Sequence, residues 1–459
     1  MGYSDLILFP IYTYLFYLFF SYRRKKIKDP ILKKYHLIAF WVKVFATVAM
    51  SVFNVWISPG DSTTLYYPEG VNIYHLSLQD PSHLKWLFVQ GKDFDFNLLV
   101  SNFTEGYFAS EANYFVIRLV AILSFFTFGT YSVINLFFSM IALTGIWKLF
   151  VFFYELYPRL YKQLAIAILF LPTVVFWSCG ILKDPLCMGA LGWLTYALNE
   201  VIYKKNKIVQ HLLIALLSAW VLSVVKPYIL YSFLPFFMFY MIQMNLHLVK
   251  SPLLKGLAFV VILGVVAVGF LYLSETLQRE MGNFALEKLS TSVKSTQTNF
   301  IAMSDQAESS FSLGVEYDGS VSSLLKVAPA AINATLFRPY LWESKKISTL
   351  LSSLESLSLM LFTLYVLLKA GPILFFKTLF TNPMVLFCFF YSILFALFIG
   401  TTTLNFGTLV RYKIPCMPFY IIALILINQK RIMVALNKKS SRVETTADNI
   451  LDRPLMTDH

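Results

Sequence analysis

An all-α bundle of membrane-crossing helices is the fold that this sequence predicts, and three observations lead to it. Hydrophobic residues make up 58% of the chain and charged residues only 14%, where a soluble domain carries about 25% charged residues. Apolar runs of about 20 residues, the length a bilayer requires, recur along the whole chain. Basic residues gather in short segments at every second turn between those runs, as the positive-inside bias demands. Only helices or closed barrels satisfy their backbone in lipid, and these runs are too long and too evenly apolar for barrel strands. The expectation is a polytopic bundle of about eleven spans plus one outer interfacial or re-entrant helix.

The first apolar run, 6–20, has no basic residue before it and no small-residue cleavage site, so it reads as a retained span. Arg23, Arg24, Lys25 and Lys26, with Lys28, Lys33 and Lys34, follow it and mark a cytoplasmic turn. Residues 36–57 then cross outward. The stretch 58–112 is polar and holds Asp61, Glu69, Asp80, Asp93, Asp95, Glu105 and Glu111. Apolar runs resume at 113–128 and 131–154, before a basic turn at Arg159 and Lys162. Both basic turns belong inside, so an even number of crossings separates them. The run 113–128 is short and carries Arg118, so it reads as the helix that stays on the outer side.

From there the spans alternate. Residues 163–180 go out, 185–203 return to Lys204, Lys205 and Lys207, 208–225 go out, and 228–246 return to Lys250 and Lys255. Residues 256–274 lead out to a long polar loop at 275–346, and 347–368 return to Lys369 and Lys377. Residues 383–400 go out and 414–428 return to Lys430, Arg431, Lys438 and Lys439. One transmembrane domain, 1–438, therefore carries outer loops at 58–130 and 275–346. The polar residues 439–459 read as an unstructured cytoplasmic tail. The chain is expected to be integral to a membrane, a bacterial inner membrane, with its site facing the periplasm or cell exterior.

The net charge of +13 comes from 38 basic and 25 acidic residues. Much of it sits in the turns flanking spans, which excludes nucleic acid as the partner and leaves the bilayer. Cys179, Cys187, Cys388 and Cys416 have no metal-ligand spacing, and the six histidines form no zinc set. No phosphate-binding glycine loop and no GxSxG nucleophile turn is present.

The chemistry-bearing residues are those on the outer side. Asp61, in Pro59-Gly60-Asp61-Ser62, follows the second span. It is either a general base for an acceptor hydroxyl or an ordinary turn and capping residue. In Trp177-Ser178-Cys179-Gly180-Ile181-Leu182-Lys183-Asp184-Pro185, Asp184 and Pro185 suit a helix start. Lys183 opposes the dipole there unless an anion such as a lipid phosphate neutralises it. Lys226, before Pro227, either snorkels or meets the same anion. In Arg338-Pro339-Tyr340-Leu341-Trp342-Glu343, Arg338 either pairs with Glu343 or reads a phosphate, with Tyr340 and Trp342 packing on a sugar or prenyl chain. Arg411-Tyr412-Lys413-Ile414-Pro415 puts two cations at the mouth of the last span, which suits a phosphate or diphosphate.

This arrangement resembles the GT-C superfamily of membrane glycosyltransferases, which includes protein mannosyltransferases and the aminoarabinose transferases of lipid A. The likeness rests on Asp61 in the first large outer loop, on the interfacial helix after it, and on Arg411-Tyr412-x-x-Pro415-x-x-Pro418 opening a late span. Many members carry Asp-Glu where this chain has Asp61-Ser62, and Glu before the late Arg where it has Val410. The first departure leaves the use of a divalent metal open. The resemblance implies a polyprenyl-phosphate-linked sugar as donor and a glycan, lipid or protein hydroxyl as acceptor. Asp61 would be the base, with Arg411, Lys413, Lys226, Lys183 and Arg338 on the lipid phosphate and Asp184, Tyr340 and Trp342 near sugar or acceptor. No further cofactor is implied. Two other readings remain: a polysaccharide polymerase or ligase with a lipid-diphosphate donor, centred on Arg338, and a transporter or flippase. A transporter should place ionisable residues at mid-bilayer depth, and the span interiors read as nearly free of them.

Overall fold

The computed structural model describes residues 2–101, 108–245, 264, 311–314, 321–344 and 347–451. The expected span 256–274, most of the loop 275–346 and the end of the tail lie outside the described residues. Among the described residues there are helices and no strands. Eight helices are long and apolar enough to cross a membrane.

The first two form a hairpin, α1 (Tyr3–Lys25) and α2 (Pro30–Val52, extended by a π turn Phe53–Ile57). Pro30 opens α2, and the Asp29 carboxylate accepts from Ile31 N at 2.8 Å and Leu32 N at 2.9 Å, a cap with proline in the first turn. Beyond α2, α3 (Tyr67–Gln79), three short 3-10 turns between Pro81 and Leu98, and α4 (Glu111–Thr127) build a cap with its own core of Ile73, Trp86, Phe94, Phe108, Tyr114 and Ile117. Glu69 fixes that cap by accepting from Val100 N at 3.1 Å and Ser101 N at 2.6 Å. Arg118 donates to Val89 O at 2.7 Å, so its charge turns toward the cap rather than toward lipid.

α5 (Tyr131–Leu156) starts where α2 ends, since Asn135 donates to Ser51 Oγ at 2.9 Å. It finishes at the α1–α2 turn, where the Tyr154 hydroxyl donates to Asp29 at 2.8 Å. Residues 58–130 therefore make no net crossing. The run 163–180, expected as one span, is two short helices, α6 (Tyr161–Ile168) and α7 (Pro172–Trp177). Pro172 lacks the N–H that would continue α6, so the helix breaks before it.

α8 (Lys183–Asn199) packs on α5 at backbone contact: a Cβ on Gly145 would stand 1.8 Å from Gly189 O, and one on Gly192 2.0 Å from Gly145 O. Small residues at such crossings give the close packing that membrane helices use in place of a hydrophobic driving force. Then come α9 (Ile208–Val225) and α10 (Pro227–Asn245). α11 (Val321–Phe337) runs antiparallel to α13 (Pro383–Thr402), with Thr335 Oγ1 donating to Ala396 O at 2.8 Å and Ala331 facing Gly400. Between them in the chain comes α12 (Ile347–Thr381), bent at Gly371, whose φ of 71° is left-handed. α14 (Phe406–Tyr412) precedes the last helix, α15 (Met417–Leu451). α15 carries on into the segment read as an unstructured tail, because no proline or glycine interrupts residues 419–451.

The main core runs through the bundle on aromatic packing, with Phe233, Phe237, Phe387, Tyr391 and Phe419 all buried and in ring contact. One end of the bundle gathers Arg24, at the α1–α2 turn, and Lys204, whose ammonium is 2.7 Å from Glu155 where α5 reaches that turn. The opposite end gathers Asp61, Lys183, Lys226 and Arg411.

Candidate functional site

Asp61 lies in the first turn of a helical segment that leads through a π turn (Ser62–Tyr66) into α3. Gly60 starts that turn, its carbonyl accepting from Thr63 N at 2.9 Å and Thr64 N at 3.0 Å. The Asp61 side chain makes no cap hydrogen bond. Its Oδ2 instead stands 3.6 Å from an Arg411 terminal nitrogen. Arg411 arrives on α14, whose start is capped by Asn405 accepting from Thr408 N at 3.2 Å. Residues from opposite ends of the chain thus wall one cavity of about 230 Å³. Asn54, Trp177, Thr349, Ser352 and Asn405 are among the polar and aromatic residues that line it with them. Asn54 Nδ2 is buried there without a hydrogen-bond partner.

Behind Arg411 sits a buried charge cluster. Asp184 Oδ2 is 3.3 Å from Arg411 Nε, yet neither atom has an aligned hydrogen bond. Asp184 Oδ1 accepts from Lys226 Nζ at 2.6 Å, with both side chains almost fully buried. Lys226 also stands over the Tyr412 ring, 3.9 Å from its centroid. Arg411 reaches the Tyr412 hydroxyl at 3.4 Å. Burial alone would pull the Arg411 guanidinium down, but Tyr412, Asp184 and Asp61 outweigh it and hold the group above its usual range. Burial pushes the Tyr412 phenol up, and Arg411, Lys226 and Lys183 reverse this to leave it below its ordinary value. The expectation that Asp184 caps its own helix is not met. Leu182 occupies the cap position, Asp184 is the second helical residue, and its carboxylate serves Lys226 and Arg411.

A second cluster backs the cavity. Arg338 is held bidentately by Glu343, with Nε 3.0 and 3.1 Å from its two oxygens and the terminal nitrogen closer still. Its guanidinium is also flanked by the rings of Phe311 and Phe406. Of these, Phe406 lines the cavity itself. Tyr340 and Trp342 stack on each other with centroids 4.9 Å apart, and Asn333 donates to the Tyr340 hydroxyl at 2.8 Å. Lys413 is fully buried and does not line the cavity. Its ammonium donates to Ser356 Oγ at 3.0 Å and Arg338 O at 3.2 Å. Burial pulls Lys413 down to about 8, partly offset by Glu355.

The structure therefore brings Asp61, Arg411, Asp184 and Lys226 into one connected group, with Lys183 beside Tyr412. Arg338, Lys413, Tyr340 and Trp342 do not line the cavity: Arg338 and Lys413 belong to the second cluster, and Trp342, stacked on Tyr340, is exposed. Sequence reasoning missed Asn54, Thr349, Ser352 and Asn405, which are small polar residues with no spacing signal. It also missed Lys43 and Glu355, two charges inside apolar helices. Among the described residues no group of three acidic, His or Cys side chains gathers to hold a metal. No family model, no curated protein and no solved structure matches this chain.

Proposed function

We propose that this chain is a membrane glycosyltransferase of the GT-C type. It moves a sugar from a polyprenyl-phosphate donor to an acceptor hydroxyl at the Asp61 end of the bundle. The observation that supports this best is the meeting of Asp61 and Arg411 on the wall of one polar cavity at the end of an apolar bundle. Asp61 takes the acceptor hydroxyl proton as its oxygen attacks the anomeric carbon. The bond from that carbon to the phosphate oxygen breaks, and the phosphate leaves with the electron pair. Arg411, pre-oriented by Asp184, offsets the charge that develops on the leaving oxygen. The lipid of such a donor stays among the spans while its phosphate reaches the mouth, which suits a site at a bundle end.

The diphosphate reading centred on Arg338 is less well supported, because that guanidinium is already occupied by Glu343. A transporter reading finds its ionisable residues in Lys43 and Glu355, but both are tied to backbone groups of α7.

Membranes containing the chain, given radiolabelled polyprenyl-phosphate sugars, test the proposal. Asp61→Asn is expected to lower transfer to acceptor by about 10²–10⁴-fold, the usual worth of a general base. Arg411→Ala is expected to raise the donor concentration needed for half-maximal rate. Wild-type transfer by Asp61→Asn would sink the assignment.

A further inference from the structure

At the bundle end opposite Asp61, the α1–α2 hairpin forms a hollow of about 410 Å³ with two unlike halves. Arg24 from the end of α1 and Lys33 and Lys34 near the start of α2 line its basic half. Leu37, Ile38 and Trp41, one and two turns further along α2, line its floor. The Arg24 Nε donates to Lys33 O at 2.9 Å, which fixes the guanidinium across the hairpin. None of the three cations has an ion pair among the described residues. The nearest acid in sequence, Asp29, is spent on its helix cap and on Tyr154. Trp41 is 48% exposed on the lipid-facing surface of α2.

We infer that this hollow binds one anionic phospholipid, its phosphate held by Arg24, Lys33 and Lys34 and its acyl chain lying over Leu37, Ile38 and Trp41. Charge complementarity selects the occupant. Three unneutralised cations at the top call for an anion, which arginine in particular meets bidentately. An apolar floor running along a membrane span calls for a hydrocarbon chain joined to that anion. Basic pockets between membrane helices at the basic end are where anionic headgroups dock. The inference does not depend on the sugar-transfer reading, because the hollow lies at the other end of the bundle.

Native mass spectrometry of the full chain in detergent, titrated with phosphatidylglycerol, tests it. Lys33→Gln/Lys34→Gln should weaken phosphatidylglycerol retention by roughly 30-fold, about fivefold for each cation removed. Lys205→Gln/Lys207→Gln removes the same charge at an exposed turn of the same end and should leave retention unchanged. Phosphatidylcholine should bind far more weakly, and glycerol phosphate, which lacks the chains, should not compete. Equal losses in the two double variants would reduce the effect to net charge and overturn the site. So would unchanged retention in Lys33→Gln/Lys34→Gln, or effective competition by glycerol phosphate. Both variants change exposed side chains, and matching elution from size exclusion establishes that each has folded.

Discussion

Asp184 illustrates how a residue's local setting can disguise its partner. Beside Pro185 at a helix start it reads as a cap, yet its carboxylate is the counter-ion for Lys226 and the support for Arg411. Those partners lie on the next helical hairpin and near the end of the chain, so no spacing rule connects them. Removing one member of a buried pair strands the other charge, at a cost of about 3–5 kcal/mol. Asp184→Asn should therefore lower thermal stability in detergent by that order, measured by a melting shift. A second change, Lys226→Met in the same chain, should recover part of the loss. Lys413 makes a different prediction. Its folded value of about 8 lies below the ordinary 10.5, so the unfolded chain binds the extra proton between them. Stability rises with pH wherever the unfolded state holds more protons. The strain of a charged Lys413 is thus full below about pH 8 and relieved as the pH climbs from about 8 toward 10.5. Unfolding free energy should rise across that window in the wild type and rise less in Lys413→Met. Parallel curves for the two chains would contradict the assignment.

At the scale of elements, the informative one is α7, the six-residue helix beyond the Pro172 break. Breaking a crossing helix frees backbone groups that lipid cannot satisfy. Here two charges from neighbouring spans satisfy them. Glu355 on α12 accepts from Thr173 N at 2.8 Å and from the Thr173 hydroxyl at the helix start. Lys43 on α2 donates to Val175 O at 3.1 Å and Ser178 O at 3.0 Å at its end. Each charge also opposes the helix dipole with the favourable sign. Glu355→Leu should therefore destabilise the bundle by about 1–3 kcal/mol, the cost of stranding buried donors. Glu355→Gln, which keeps one acceptor, should cost less, and equal melting shifts for the two would count against the clamp. The sequence shows the break only as Pro172 within an apolar run, while Lys43 and Glu355 stand as single charges in spans that otherwise read as uniform. Long, evenly apolar elements such as α5, α9 and α13 were legible because length and hydropathy alone define them. The cap built by α3, α4 and the turns between them was legible only as a polar stretch. Its form depends on long-range contacts such as those of Glu69 with Val100 and Ser101.

Across the whole molecule, charge divides the two ends. Arg24 and Lys204 stand at one, while Asp61, Asp184, Lys226 and Arg411 stand at the other. The sorting of side chains by end was legible because the positive-inside bias is written in short turns. That Asp61 and Arg411 would share a wall was an expectation resting on their common end. That Lys413 would turn inward to Ser356 was not legible from its charge, which matches that of Arg411; the two are two residues apart, about 200° around the helical turn, and so face opposite sides.

The four cysteines are buried, so a cysteine introduced at an exposed position can be labelled selectively. Ser58 and Gly407, both exposed, line the Asp61–Arg411 cavity, and Lys205 is exposed at the other end. The most direct measurement is reaction of Ser58→Cys, Gly407→Cys and Lys205→Cys with a membrane-impermeant maleimide in sealed vesicles. The first two are expected to label from one side and the third only after the vesicles are opened, or the reverse in inverted vesicles. Labelling of Ser58→Cys and Gly407→Cys from opposite sides would contradict their shared cavity.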